Sequence, residues 1–212
     1  MKWRQIPLGP LQTNCYVIEN DEKEAIIFDP GGDGEAFVQW LNNQGLKPLA
    51  ILLTHAHFDH IGAVDHVRDA FSCPVYLHEN EQGWLMDPIK NRSTNFMGEE
   101  QAITVKKADH IIHEERLLTI GSFIFTIFET PGHSPGSVSF YLEKEAIVFS
   151  GDALFAQSIG RTDLPGGNQQ QLLESIHEKL LELPEETVVA CGHGPTTTIG
   201  QEMDGNPFLS GF

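Results

Sequence analysis

The sequence Thr54-His55-Ala56-His57-Phe58-Asp59-His60 places three imidazoles and one carboxylate within six consecutive positions, directly after the apolar run at residues 49–53. Polar side chains at this density are costly to bury unless a cation lies among them. Uncharged imidazole nitrogens and carboxylate oxygens are ligands for zinc, iron and manganese. The stretch therefore predicts a metal site at the end of a buried strand, with further ligands supplied from elsewhere in the chain.

The same arrangement recurs three more times, each as an apolar strand followed by a small or turn residue and then a metal-type side chain. The complete set of candidate ligands is His55, His57, Asp59, His60, His133, Asp152 and His193. Seven ligands exceed the four of a tetrahedral zinc, so two metals are expected, or one metal with a partly used second position. Two metals about 3.5–4 Å apart can share a bridging carboxylate and acidify a water that becomes the nucleophile.

The length and composition of the chain limit the number of domains, the partners and the cellular setting that we expect for it. A chain of 212 residues fits one domain, and we expect a single domain over residues 1–212. The net charge of −17, from 13 basic and 30 acidic residues, argues against nucleic acid as a partner, because phosphate binding needs clustered basic residues. No segment approaches the roughly 20 apolar residues that span a bilayer, so no membrane partner is expected. Three widely spaced cysteines suggest no disulfide framework, and a reducing cytoplasmic setting is expected.

The hydrophobic pattern alternates strands with helices. Asp33 is predicted to cap one helix and Asn168 to open another, and residues 79–107 are predicted to form a helix and a loop that overhangs the site. The predicted strands are residues 2–8, 13–19, 24–28, 48–54, 74–77, 122–129, 138–142, 146–149 and 187–190, and the predicted helices are residues 33–44, 61–70 and 168–181. Open sheets place their sites beyond the carboxyl ends of the strands, where the candidate ligands also fall.

These motifs resemble the metallo-β-lactamase superfamily, from the His55 to His60 stretch through Thr-Pro-Gly-His133, Gly-Asp152 and Cys-Gly-His193-Gly. The resemblance implies an α/β fold, an αββα four-layer sandwich of two mixed β-sheets flanked by helices. It also implies that one metal is held by His55, His57 and His133, that the other is held by Asp59, His60 and His193, and that Asp152 bridges them.

Within the superfamily the chain is most similar to glyoxalase II, the hydroxyacylglutathione hydrolases, in a short form. The resemblance implies hydrolysis of a small thioester by a metal-bridging hydroxide, with Asp59 and Asp152 as catalytic residues. Asp152 disfavours antibiotic hydrolysis, because the common subclass of true β-lactamases has a cysteine at that position. The implied cofactors are two divalent metal ions, with zinc as the first choice and iron or manganese as alternatives.

Two departures leave the thiol half of the substrate open. Only 19 residues follow His193, so we expect the chain to lack the C-terminal helical domain of full-length glyoxalase II. The lysine and tyrosine that bind glutathione in the family have no clear match in residues 157–162. Arg161 therefore either contacts the substrate or forms a structural ion pair. Residues 160–163 also resemble the persulfide dioxygenases, which would hold a single iron through the matches to His55, His133 and Asp152.

Several other residues have two interpretations. Asp29 either orients a ligand histidine or serves only as a turn residue before Pro30. Cys191 is expected to be a small buried residue and not a ligand. A metal-binding module without catalysis is disfavoured by the open, strand-end placement of the ligands, and the oligomeric state is left open. Surface or helix positions are expected for the remaining histidines, which are His66, His78, His110, His113 and His177.

Overall fold

A computed structural model describes residues 1–209, which divide into two compact units. The first unit comprises residues 1–113 and 120–122, and the second comprises residues 114–119 and the described chain from residue 123 onward. Two six-stranded sheets and a two-stranded one, together with six α-helices, make up the described chain. The predicted α/β class with two mixed sheets is confirmed.

The sheet of the first unit has the strand order β1-β2-β3-β4-β5-β6. Its first three strands pair antiparallel and the following pairs are parallel. The strands are β1 (Lys2–Leu8), β2 (Thr13–Glu19), β3 (Glu24–Phe28), β4 (Lys47–Leu52), β5 (Val75–His78) and β6 (His110–Ile112), and the helices are α1 (Gly34–Asn43), α2 (Phe58–Ile61), α3 (Val64–Phe71) and α4 (Ser93–Met97).

The core of the first unit forms where α1 and α3 pack on this sheet. Phe37 and Leu41 from α1 and Val64 and Val67 from α3 are buried in one cluster with side chains of β2 to β5. The two helices contribute apolar residues at the spacing of one helical face, while the central strands are buried almost throughout. This packing holds the ends of β3 and β4 in place for the polar residues that follow them.

The sheet of the second unit has the order β14-β13-β10-β9-β8-β7. The strands β10 and β13 are parallel neighbours, and β8, β9 and β10 form an antiparallel meander. Its elements are β7 (Arg116–Ile120), β8 (Phe123–Glu129), β9 (Val138–Leu142), β10 (Ile147–Gly151), β11 (Leu154–Phe155), β12 (Ser158–Ile159), α5 (Gln169–Ser175), β13 (Val188–Cys191), β14 (Thr197–Thr198) and α6 (Ile199–Gly205).

The core of the second unit joins α5 to the central strands. Leu172, Leu173 and Ile176 are buried in one cluster with Val148 and Val189. A π-helical turn at Ile176–Leu180 extends α5 and carries Leu180 into the same cluster. The small antiparallel pair of β11 and β12 forms its own hairpin directly after Asp152.

The predicted strands and helices are largely confirmed, with three corrections. Asp33 has a left-handed backbone and its carboxylate accepts from the Gly9 backbone N–H, so it does not cap α1 through its side chain. The short strands β6, β7, β11, β12 and β14 and the helix α6 were not predicted. The helix predicted over residues 61–70 begins later, as α3 at Val64, because α2 ends at Ile61 and a turn separates the two. Residues 79–107 contain a helix as predicted, α4, together with 3₁₀ turns at Glu79–Trp84 and Glu99–Gln101.

Two further features concern membranes and thiols. Within residues 1–209, no helix has the length and apolar character that crossing a membrane requires. Cys15, Cys73 and Cys191 are all buried and free. Burial raises the pKa of the Cys15 thiol well above its ordinary value and that of Cys73 to about 11, so both sulfurs stay protonated at neutral pH.

The cap of α5 gives a test of the second unit. The side chain of Asn168 accepts from the backbone N–H of Gln171, as predicted. Asn168→Ala should lower the free energy of unfolding by about 1 kcal/mol, because an N–H in the first turn loses its acceptor. Urea unfolding measures the change. Gln170→Ala, at an exposed position of the same turn, is the control, and equal effects of the two substitutions would contradict the capping role.

Candidate metal centre

The histidine cluster of the first unit lies between the end of β4 and the helix α2. His55, His57, Asp59 and His60 are all buried, with at most 7% of the surface of any of these residues exposed. His55 Nε2 lies 3.0 Å from His57 Nδ1. Two nitrogen ligands of a tetrahedral zinc, with bonds of 2.0–2.1 Å, are separated by about 3.3 Å. The two imidazoles are therefore close to the spacing that one shared metal ion requires.

Asp29 orients one of these histidines. It follows β3 directly, and its carboxylate accepts from the Thr54 backbone N–H at 2.8 Å and from the Thr54 hydroxyl at 2.6 Å. His60 Nδ1 lies 2.9 Å from the same carboxylate. A proton on Nδ1 leaves the Nε2 lone pair for a metal, which is how an orienting carboxylate acts on a ligand histidine. Of the two interpretations of Asp29, the structure supports the orienting one.

The carboxylate of Asp59 is also held in place. Its Oδ2 accepts from the Thr13 hydroxyl at 2.7 Å and lies 3.6 Å from His60 Nε2. The short helix α2 brings these two adjacent side chains toward the same point. An oxygen and a nitrogen at this separation fit two ligands of one divalent ion.

Glu81 is a buried residue of the site that the sequence did not reveal. It lies in the 3₁₀ turn Glu79–Trp84 and is fully buried, and its Oε2 accepts from the Ala56 backbone N–H at 2.6 Å. Ala56 separates the two ligand histidines, so Glu81 fixes the backbone that spaces them. Trp84, from the same turn, lies with its ring centre 5.7 Å from that of His57. Glu81 has no motif around it, and only the fold brings it to Ala56.

The remaining three predicted ligands come together in the second unit. His133 follows β8, Asp152 follows β10 and His193 follows β13. Asp152 Oδ2 lies 3.5 Å from His133 Nε2 and 3.5 Å from His193 Nε2. An oxygen at these distances from two imidazole nitrogens is suitably placed to bind a divalent ion together with them. The donor set of nitrogens and carboxylate oxygens in the two units fits divalent metals such as zinc, iron or manganese.

His133 is fixed from behind by a backbone carbonyl. Its Nδ1 donates to the Arg161 carbonyl oxygen at 2.8 Å, which leaves Nε2 to face Asp152. The preceding Gly132 has φ of 131°, and a Cβ at this position would overlap the backbone of Leu172. Glycine is therefore required for the close approach of this loop to α5, which in turn sets the position of His133.

The Arg161 side chain forms an ion pair in this structure. Its Nε and one terminal nitrogen each donate to Asp163 at 2.7 Å, and both side chains are more than 60% exposed. This bidentate contact raises the pKa of Arg161 and lowers the pKa of Asp163 to about 2. Of the two interpretations of Arg161, the structure shows the ion pair, and a contact between Arg161 and the substrate stays a prediction.

Cys191 and His78 are both buried, as the sequence predicts for Cys191 but not for His78. Cys191 is fully buried and its Sγ donates to the carbonyls of His193 and Pro195, each at 3.2 Å. Burial raises its pKa to about 11, which confirms the small buried residue that was expected. His78 was expected at the surface or in a helix, but this was wrong. It is the buried last residue of β5 and its Nδ1 accepts from the Asn80 backbone N–H.

Comparison with known proteins gives a consistent assignment. The sequence profile described as the metallo-beta-lactamase superfamily matches residues 8–193. The probable metallo-hydrolase YqgX of Bacillus subtilis is 56% identical over 212 residues, which cover 100% of this chain and 99% of that protein. Hydroxyacylglutathione hydrolase GloC of Haemophilus influenzae is 36% identical over 205 residues, which cover 97% of this chain and 96% of that protein.

Two solved structures are similar over nearly the full chain. The structure described as the BLEG-1 B3 metallo-beta-lactamase has a TM-score of 0.97 and 65% identity, and the match covers 99% of this chain and 100% of that one. The structure described as TTHA1623 in a di-iron-bound form has a TM-score of 0.85 and 43% identity, and the match covers 97% of this chain and 100% of that one.

The contact between Asp29 and His60 gives a test. Asp29→Asn should weaken zinc binding about 10- to 100-fold. The carboxylate accepts hydrogen bonds from Thr54 and His60 through both of its oxygens, whereas an amide has only one oxygen that can accept. Competition with a chromophoric chelator measures the affinity. Asp21→Asn makes the same substitution at an exposed turn and should change nothing. If the two variants bind zinc equally well, Asp29 does not orient His60.

Proposed function

Because the chain belongs to the metallo-beta-lactamase superfamily, we propose that it is a binuclear metal-dependent hydrolase of small thioesters. The observation that carries this proposal is the position of Asp152 Oδ2, at 3.5 Å from the Nε2 atoms of both His133 and His193. A carboxylate that faces two imidazoles in this way suits a pair of metal ions. A single structural zinc would use its four ligands without such a bridge.

In this proposal the ligand sets of the two units serve one centre. His55, His57 and His133 would hold one metal, Asp59, His60 and His193 would hold the other, and Asp152 would serve as a ligand to both. The di-iron form of the 43% identical protein supports two metals, and zinc and manganese suit the same donors. Bound divalent metals would supply an acidified water and polarise the thioester carbonyl.

The chain's own residues orient the reacting groups. Asp59, fixed by the Thr13 hydroxyl, would accept a hydrogen bond from the attacking water and set its direction toward the carbonyl carbon. Asp152 would accept a hydrogen bond from the same water through its carboxylate. Because Asp29 and the Arg161 carbonyl fix the Nδ1 atoms of His60 and His133, the two imidazoles keep their orientation when substrate binds.

The substrate proposed is a thioester of a small thiol. The GloC protein is described as a hydroxyacylglutathione hydrolase, and this chain aligns with 96% of its length. The similarity to that relative supports a thioester substrate. Opening of the Arg161–Asp163 ion pair would present a cation to an anionic group on the thiol. We place the reaction in the cytoplasm, in keeping with three free buried cysteines.

Hydrolysis of β-lactams is a second candidate. The specific observation in its favour is the 65% identical structure that is described as a B3 metallo-beta-lactamase. The aspartate at position 152 argues only against the subclass that has a cysteine there. A thioester and a β-lactam both present an activated carbonyl, so the metal ligands do not distinguish them. The distinction depends on the side chains that contact the rest of the substrate.

Persulfide dioxygenation is the remaining alternative, based on the resemblance of residues 160–163 to that branch. It would use one iron and consume oxygen, whereas hydrolysis consumes only water. Oxygen uptake by iron-loaded protein with a glutathione persulfide substrate would support this alternative. No uptake would remove it.

The thioesterase proposal predicts a clear ranking of substrates. Purified protein should contain about two metal equivalents per chain. It should hydrolyse S-lactoyl or S-acetyl esters of glutathione, cysteine or coenzyme A with kcat/KM about 100-fold above that for a chromogenic cephalosporin, a difference of about 2.7 kcal/mol. Release of free thiol and metal analysis measure both quantities. The reverse ranking would establish the β-lactamase candidate, and one iron without hydrolysis would exclude both hydrolases.

The bridging role of Asp152 gives a separate prediction. Asp152→Ala should reduce kcat/KM at least about 100-fold and lower the metal content, because both imidazoles that face it lose the shared carboxylate. Chelation of the wild-type protein should abolish turnover, and added zinc should restore it. Asp21→Ala, at an exposed turn, is the control. Full activity in Asp152→Ala would show that catalysis does not depend on this residue. It would favour the alternative that these residues bind metal without a catalytic role.

A further inference from the structure

A buried carboxylate in the C-terminal helix has three hydrogen-bond donors around it. Glu202 of α6 is 1% exposed. Its Oε1 accepts from the Thr197 hydroxyl at 2.6 Å, and its Oε2 accepts from the Gln157 backbone N–H and the Asn206 side chain, each at 2.8 Å. Hydrogen bonds to a carboxylate are stronger than those between neutral groups. Glu202 therefore ties α6 to the hairpin of β11 and β12.

The hairpin is held at a second point by the next turn of the chain. Asn206, which is also buried, donates to the Ser158 carbonyl at 3.0 Å. Gln157 lies between these contacts with a φ of 58°, an unfavourable conformation for a residue with a side chain. The contacts made by Glu202 and Asn206 compensate this cost. They hold the hairpin at Gln157 and at the residue that follows it.

The fixed hairpin leads directly to His133. After β12 the chain passes through Gly160, where a Cβ would overlap the Asp152 carbonyl oxygen and lie 3.2 Å from the Cβ of His133. The next residue, Arg161, presents the carbonyl that accepts from His133 Nδ1 at 2.8 Å. The position of this carbonyl depends on the hairpin, and the hairpin depends on α6.

We propose that Glu202 and Asn206 are positioning residues for the metal centre, which act through the hairpin on the orientation of His133. The inference rests on the proposed function in one respect, that His133 is a metal ligand. The alternative is that the two residues only stabilise the C-terminal helix. In that case their loss lowers stability but leaves the hydrogen bond of His133 and the metal affinity unchanged.

The test uses the full chain with ¹⁵N-labelled histidine. In wild-type protein the Nδ1–H protons of His133 and His60 should both exchange slowly, because each has a fixed acceptor. Signals are assigned by their loss in His133→Gln and His60→Gln. His60 is the internal reference, since its acceptor is Asp29 in the other unit. Zinc affinity is measured in parallel by competition with a chelator.

Three substitutions define the effect. Glu202→Ala should broaden or remove the His133 signal, leave the His60 signal intact and weaken the binding of one zinc equivalent about tenfold. Glu202→Gln should restore most of the signal, because the amide oxygen accepts from Gln157 and the amide N–H faces the Thr197 hydroxyl, which can accept. Glu178→Ala, at an exposed glutamate of the same unit, is the matched control.

An unchanged His133 signal and unchanged zinc affinity in folded Glu202→Ala would overturn the proposal. If that variant does not fold, Asn206→Ala decides the question, because it removes the donation to Ser158 and leaves Glu202 in place. Intact His133 signals there would count equally against it. A wild-type protein that hydrolyses no substrate of the panel would refute the proposed function, while the histidine signals would still decide the role of α6.

Discussion

The hydrogen bonds at the Nδ1 atoms of two buried histidines determine what the rest of the site can do. His60 donates to Asp29 and His133 donates to the Arg161 carbonyl, so in each case Nε2 faces the other ligands. An imidazole without such an acceptor could rotate or exchange tautomers, and its metal affinity would fall accordingly. The acceptor for His60 is a carboxylate, and the acceptor for His133 is a backbone carbonyl of a loop. We therefore expect the orientation of His133 to depend on the conformation of the hairpin that precedes this loop.

Parallel strand pairs bring these groups together within each unit. The strands β3 and β4 are parallel neighbours, so the residues that follow them, Asp29 and Thr54, meet at one edge of the sheet. The pair of β10 and β13 does the same for Asp152 and His193. Parallel neighbours end at the same edge, whereas antiparallel neighbours end at opposite edges. The mixed topology of both sheets therefore positions the polar groups that follow the strands.

The predictable parts of this structure are those encoded by local patterns. Apolar runs predicted most of the strands, and the spacing of His55 to His60 predicted the buried cluster of three imidazoles and a carboxylate. Asp33 was misassigned because a capping residue is recognised by type, while its carboxylate is taken by Gly9 from elsewhere in the chain. The strands β11, β12 and β14 have two residues each, too few for a pattern. Glu81 and Glu202 lie in no recognisable motif, and the backbone N–H groups that they accept from, those of Ala56 and Gln157, are distant from them in the sequence.

Three of the buried acids share one physical role. Asp29, Glu81 and Glu202 are each at least 97% buried, and each accepts from a backbone N–H of a loop that carries or supports a ligand, namely those of Thr54, Ala56 and Gln157. A buried backbone N–H without an acceptor costs about 1–3 kcal/mol, so each carboxylate restricts its loop to the conformations that keep the bond. These three acidic residues of a strongly acidic chain therefore fix the loops beside the predicted ligands and do not lie at the surface.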